Sequence, residues 1–406
     1  MKSNILLVML ISLISFSKSN AQQYGLVNIG GNLPSSSGTA SLSDLYFIND
    51  NKGWICSSAL GEIYHTTDGG QTFTTQTTQN YTNAIHMLNS SEGYAGGYNG
   101  RVYRTTDGGA TWNVLGSIGG TLLSISFPPS SDTGYCSGDY GKIYSITSTG
   151  VSSMSSGVIS SLRSISFPSS DLGWTCGSSL IINYNGSWSQ QDPPSESYNG
   201  IFMINNTIGW AVGALGVIVN TTDGGLNWNY QTNPDASNRT LLDVFFLNAN
   251  EGWAVGNSGV ILHTTDGGTA WSIEGSGLTT NMLRAVQFTS STNGYILGNN
   301  GTLLKYTQLT GIENVEGQNR NTMQVQNYPN PFNTTTLLKY MLHESGNVHL
   351  AVYNLQGKMV SLLVSEHQSP GEHSAIFDGK YLPSGLYYYR ISTAENLETG
   401  KMMLVK

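Results

Sequence analysis

The stretch "HTTDGGQTF", residues 65–73, returns as "RTTDGGATW" at 104–112, "NTTDGGLNW" at 220–228 and "HTTDGGTAW" at 263–271. A carboxylate recurring between threonines and paired glycines is either a repeated acid group or a structural fastener. Paired glycines allow the positive φ that a tight reversal demands. Asp68, Asp107, Asp223 and Asp266 stand just before them, where a carboxylate accepts N–H bonds across its own turn. Phe73, Trp112, Trp228 and Trp271 follow five residues later on the returning strand. They are expected to pack between neighbouring units, at roughly 1.5–3 kcal/mol for each large apolar side chain.

A Gly-aromatic pair runs through the same region at Gly53-Trp54, Gly93-Tyr94, Gly134-Tyr135, Gly173-Trp174, Gly209-Trp210, Gly252-Trp253 and Gly294-Tyr295. A period near forty residues signals an array, solenoid or propeller. Each unit reads as four short period-2 segments bounded by Gly, Asn or Ser, hence four antiparallel strands. One such sheet cannot bury both faces, so the units stack and close radially. The expectation is all-β: a seven-bladed β-propeller over residues 22–310.

The seventh unit has no "DGGxxW" strand after "GTLLKYT". "YGLVNIGG" from Tyr24 resembles "TWNVLGS" from Thr111, with Leu26 in the slot of Trp112, and is expected to supply the missing outer strand. Units three and four lack the box and keep only Trp188 in the aromatic slot, so looser turns are expected there.

The first residues, "MKSNILLVMLISLISFSKSNAQ", carry Lys2, an apolar run and Ser19-Asn20-Ala21. This reads as a secretory signal peptide over residues 1–21, and no later run is long enough to span a membrane. The net charge of −8 lies almost wholly on residues 22–310 and argues against nucleic acid as a partner. Three cysteines, Cys56, Cys136 and Cys176, show no disulfide framework and read as buried small hydrophobes.

The repeats resemble Asp-box (BNR) repeats, T-x-D-G-G-x-x-W, of the sialidase-like superfamily. The longer frame at Gly209 and Gly252 is most similar to the photosystem II assembly and stability factor family. That resemblance implies a box on the face away from the ligand, with a non-catalytic aspartate. A sialidase would need three gathered arginines, a Tyr-Glu pair and an F-R-I-P segment, and no such segment occurs. A glycanase would need two facing carboxylates. Asp44 and Asp243 hold equivalent inner-strand positions, and hydrogen bonding beside the channel accounts for them. No catalytic residue, metal site or cofactor is assigned.

The binding candidates are Arg163 and Arg284, at the same position in "LRSISF" and "LRAVQF", with Arg239 beside the same rim. Three arginines on an acidic domain could hold a carboxylate, a sulfated glycan or an acidic peptide, although salt bridges to Asp243 or nearby loops would also explain them. The loops Thr147 to Ser161, Ser189 to Asn199 and Gln231 to Thr240 are expected to open on that face.

After Thr310 the period stops. Residues 311–325 read as a linker, and alternating strands over 326–406 as a small Ig-like β-sandwich. "NYPNPFN" from Asn327, "VYNLQGKMV" from Val352, "LPSGLYYYRI" from Leu382 and the terminal "KMMLVK" resemble the type A C-terminal sorting domain of the type IX secretion system. That resemblance implies a Bacteroidetes-type bacterium, recognition of 326–406 by an outer-membrane translocon, and a product released or held at the cell surface. The whole reads as a monomeric, non-enzymatic binding or scaffold propeller for an unknown protein or glycan ligand. A secreted glycoside hydrolase is the alternative.

Overall fold

The computed structural model describes residues 23–34, 41–57, 61–194, 196–275, 277–309, 325–342, 344–354, 358–393 and 397–406. The expected signal peptide and residues 311–324 of the expected linker lie outside these. The chain divides into two compact units, one ending at Thr310 and one beginning at Gly311.

In the first unit seven four-stranded antiparallel sheets follow one another. Their inner strands are Leu42–Phe47, Thr82–Met87, Leu122–Ser126, Leu162–Ser166, Tyr198–Met203, Leu241–Phe246 and Leu283–Ser290. Each inner strand touches the next, and the last touches the first, so the ring is closed. This is the seven-bladed propeller.

The Gly-aromatic pair is explained by what crosses it. Every second strand is buried along its whole length, because both of its faces meet other blades. A Cβ on Gly53, Gly134, Gly173, Gly252 or Gly294 would collide with the phenyl ring of Phe47, Phe127, Phe167, Phe246 or Phe288 of the same blade. That phenyl stacks on the aromatic of the preceding blade: Phe47 on Tyr295 at 3.7 Å, Phe167 on Tyr135 at 3.8 Å, Phe246 on Trp210 at 3.4 Å and Phe288 on Trp253 at 3.5 Å. Glycine makes room for the ring that joins two blades.

Closure follows the expected route. Gln23–Asn28 pairs antiparallel with Leu303–Leu309 as the outermost strand of blade seven. Leu26 lies opposite Tyr306 and packs against the cluster of Trp253, Ile261 and Phe288. It therefore meets the preceding blade, as Trp112 meets Trp54.

The box-less turns are tighter than expected. In blade three Thr147 pairs with Gly150 across two residues, and in blade four Tyr184 pairs with Trp188. Without the box there is no seven-residue excursion to fasten, and the strands simply reverse. Gly150–Met154 and Trp188–Gln190 are strands, so the loops expected over Thr147 to Ser161 and Ser189 to Asn199 are shorter. Gln231 to Thr240 is a connection throughout.

The second unit is a β-sandwich. A three-stranded sheet of Val325–Tyr328, Thr335–Leu342 and Gly371–Asp378 faces a four-stranded sheet of Met359–Gln368, Gly346–Tyr353, Gly385–Ser392 and Leu397–Leu404. Leu338, Tyr340 and Phe377 from the first and Leu350, Val352, Tyr387 and Ile391 from the second share one core.

Candidate functional site

The four boxes are built alike. In the first, Asp68 Oδ1 accepts from Thr66 Oγ1 at 2.8 Å and from the Thr72 amide at 2.9 Å, while Thr66 Oγ1 accepts from the Gly70 amide at 2.9 Å. Gly69 and Gly70 have φ of 70° and 85°. Asp107, Asp223 and Asp266 repeat these contacts with Thr111, Asn227 and Ala270. Bonds from Thr72 and Thr66 help hold the Asp68 carboxyl at about 2, against the opposing desolvation; those from Thr111 hold Asp107 at about 2. The Gly69 amide donates to Asn51 O at 2.8 Å, which places the boxes on the face of the turns between first and second strands.

A second fastener links blades. Gln231 Nε2 donates to Gly267 O at 2.9 Å, and its Oε1 accepts from Trp271 Nε1 at 3.0 Å. Gln191 does the same for Gly224 and Trp228, and Gln76 for Gly108 and Trp112. The sequence reading missed these glutamines. The available signal was Gln three residues after Phe73, Trp188 and Trp228, in each case one blade ahead of a Trp-bearing box.

On the opposite face lies the channel mouth. The inner strands are bulged near their starts, between Leu162 and Ser164 in blade four and between Leu283 and Ala285 in blade seven. Arg163 and Arg284 are the extra residues, re-aimed by the bulge. Arg163 Nη1 donates to Ser197 Oγ at 3.2 Å and to Asn199 Oδ1, and Arg284 Nε donates to Asn299 Oδ1 at 2.7 Å. Among the described residues neither is ion-paired. Arg239 differs: it grips the buried Asp235 through Nε at 2.8 Å and Nη2 at 3.1 Å, and donates to Ser258 O. Its charge is neutralised within its own loop, so it does not join the other two.

Around this mouth stand apolar loop tips. Tyr140 and Leu215 are each 73% exposed and sit at φ of 59° and 54°. The equivalent tips in blades two and seven are Asn99 and Asn300, a residue type that accepts this region readily. Tyr81, Tyr98 and Ile159 are also exposed nearby in sequence and on the same edge of their blades.

Inside, a cavity of about 470 Å³ is lined by inner-strand side chains. Asp44 Oδ2 accepts the Ile85 amide and Asp243 Oδ2 the Val286 amide, each at 2.9 Å and each from the next blade. Ser124 and Ser164 serve Ile165 and Ile201 in the same way. Burial pushes the Asp44 carboxyl up to about 7, with the charge of Asp243 adding to it, and Asp243 to about 6. The three cysteines are free and buried, and burial raises each thiol, Cys136 to about 12, so none is a ready nucleophile. Among the described residues no group of three or more His, Cys, Asp or Glu could hold a metal, and no helix is long and apolar enough to cross a membrane.

Residues 180–275, which include two of the boxes, match the family model described as photosynthesis system II assembly factor YCF48. Residues 326–406 match the secretion system C-terminal sorting domain. The chain carries an Asp-box propeller followed in sequence by a secretion sorting domain. Solved structures similar to the propeller include one described as YCF48 bound to D1 peptide, at 22% identity and TM-score 0.58, covering 70% of this chain and 97% of that one. YCF48 from Cyanidioschyzon merolae is similar at 20% identity and TM-score 0.57, covering 70% and 98%. The WD40 β-propeller domain of Doa1 follows at 11% identity and TM-score 0.56, covering 66% and 93%. At these identities the likeness is one of fold. No curated protein is significantly similar to the chain. The sorting domain marks this Asp-box propeller as a secreted or cell-surface protein handled by that secretion system.

Proposed function

We propose that the Asp-box propeller is a non-enzymatic binding or scaffold protein that receives an acidic segment of another protein at its channel mouth. The observation that carries this is the exposure of Tyr140 and Leu215 at positive φ. A bulky side chain in that region costs about 1 kcal/mol or more, and exposing it to water returns nothing to stability. Both tips stand on the face of the unpaired Arg163 and Arg284. Apolar and aromatic tips around cationic groups suit a peptide carrying carboxylates. A solved propeller of the same fold is described with a peptide bound, which favours protein over glycan.

The glycoside hydrolase reading draws less support. Asp44 and Asp243 do for their neighbours what Ser124 and Ser164 do elsewhere in the ring, so a structural task already accounts for their positions. On this reading residues 1–21 direct export, 326–406 engage the translocon, and the propeller acts as a monomer outside the cell.

The test uses the exported chain against a glycan array and in pull-downs from surface-protein extracts. Arg163→Ala/Arg284→Ala is expected to abolish capture of the partner, and Tyr140→Ser/Leu215→Ser to weaken it. Capture that survives both changes removes the mouth as the site, and turnover of any glycan overturns the non-enzymatic reading.

A further inference from the structure

Below the arginine mouth the channel changes character. The cavity of about 470 Å³ is bounded by Asp44 and Asp243 and, farther from the mouth along the inner strands, by Tyr46, His86, Phe202 and Phe245. The two carboxylates are uncompensated, since no described cation lies within ion-pair distance of either. Asp44 accepts one amide on each oxygen, Leu45 on Oδ1 and Ile85 on Oδ2. Each carboxylate oxygen can accept a second bond, and that capacity remains for a donor in the lumen.

His86 supplies an independent sign that the space is built for an occupant. Its ring lies against Tyr46 at 4.4 Å and Phe127 at 5.3 Å. The ring is half-buried and lines the cavity, and no hydrogen bond joins it to any described residue. Burial holds its pKa down at about 3, so the ring is neutral and keeps one nitrogen as an acceptor. A second cavity of about 460 Å³ meets the first at Tyr46, His86, Phe127 and Pro129, and carries Asp132 on the box face, together with Glu92, which is ion-paired to Arg104. The channel is thus cationic at one mouth and acidic and aromatic at the other.

From this polarity we propose that the box-face half of the channel is a binding site for an alkylammonium or guanidinium group, seated between Asp44 and Asp243 with its aliphatic stem against the aromatic wall. The cation supplies the countercharge the carboxylates lack, and the faces of Tyr46, Phe202 and Phe245 attract it through their ring quadrupoles. A neutral ligand would leave two desolvated charges unpaired, which is costly. Entry is from the box face, because Arg163 and Arg284 repel a cation at the other end. The box face, which the family resemblance places away from the ligand, acquires a ligand of its own.

The test is calorimetric titration of the full exported chain with n-butylammonium, butylguanidinium and the neutral isostere 1-butanol, each at pH 8 and pH 5. A short lysine-containing peptide and its norleucine counterpart form a parallel arm. The cations are expected to saturate at pH 8 and to weaken by about tenfold or more at pH 5, where both carboxyls are protonated. Asp44→Asn/Asp243→Asn is expected to abolish binding. Saturation by butylammonium identifies a free amine as a sufficient ligand; binding of the peptide alone identifies a partner's side chain, and either supports the site. Equal binding of 1-butanol, affinity indifferent to pH, or no binding by any cation overturns it. If the double variant fails to fold, the isostere and pH arms decide on the native protein.

Discussion

Asp68 and Asp44 are the same side chain driven in opposite directions by their surroundings. Asp68 is wrapped in hydroxyl and amide donors at the surface, whereas Asp44 faces a lumen without a countercharge. For Asp68 the folded pKa of about 2 lies below the ordinary aspartate value of 3.8. Its contribution is therefore complete above pH 3.8 and is lost as pH falls toward 2. Asp68→Ala is expected to lower Tm by a few degrees at pH 7, to have little effect near pH 2, and to leave ligand capture intact; thermal melts across pH check this. Asp44 behaves inversely. Its folded pKa of about 7 lies above 3.8, so ionisation opposes folding increasingly as pH rises through that interval. The Tm of Asp44→Asn relative to the native chain is expected to rise from pH 5 to pH 8, and a difference independent of pH would refute the uncompensated charge. At the blade boundary, Gln231→Leu strands the Trp271 indole N–H and removes a donor from Gly267 O. Loss of about 1–3 kcal/mol in denaturant unfolding is expected.

Among elements, the N-terminal strand carries the most for its length. Gln23–Asn28 covers the outer edge of blade seven and puts Leu26 where other blades put a tryptophan or phenylalanine. Deleting residues 22–31 is expected to lower Tm by roughly 10 °C or more, and an unchanged melting temperature would remove its closing role. This strand was legible in the sequence because a missing repeat at one end and an orphan repeat at the other are both visible as patterns. The blades were legible because Gly-aromatic pairs recur wherever a phenyl or, in blades two and five, a methionine side chain crosses the glycine. The turns of blades three and four were misjudged, since absence of a motif says nothing about how short the replacement is. The glutamine links escaped notice because their partners lie 32 to 40 residues away. Arg163 and Arg284 stood out by position, but whether a charge is free or paired depends on neighbours distant in sequence, as Arg239 and Asp235 show at close range.

At the scale of the whole molecule, two compact units with separate cores predict two calorimetric transitions. Leu26→Asp is expected to shift the propeller's transition alone; a single merged transition would argue against independent units.

The same closing strand orders events in time. Residues 23–28 leave the ribosome about 280 residues before their partners at 304–309. No shorter nascent segment contains a complete seventh blade, and the contact that shuts the ring has one of the longest loops to close. An exported chain of this design stays open until its far end arrives. The next domain along the chain is the sorting domain, so the ring becomes closable only shortly before the address for secretion is made.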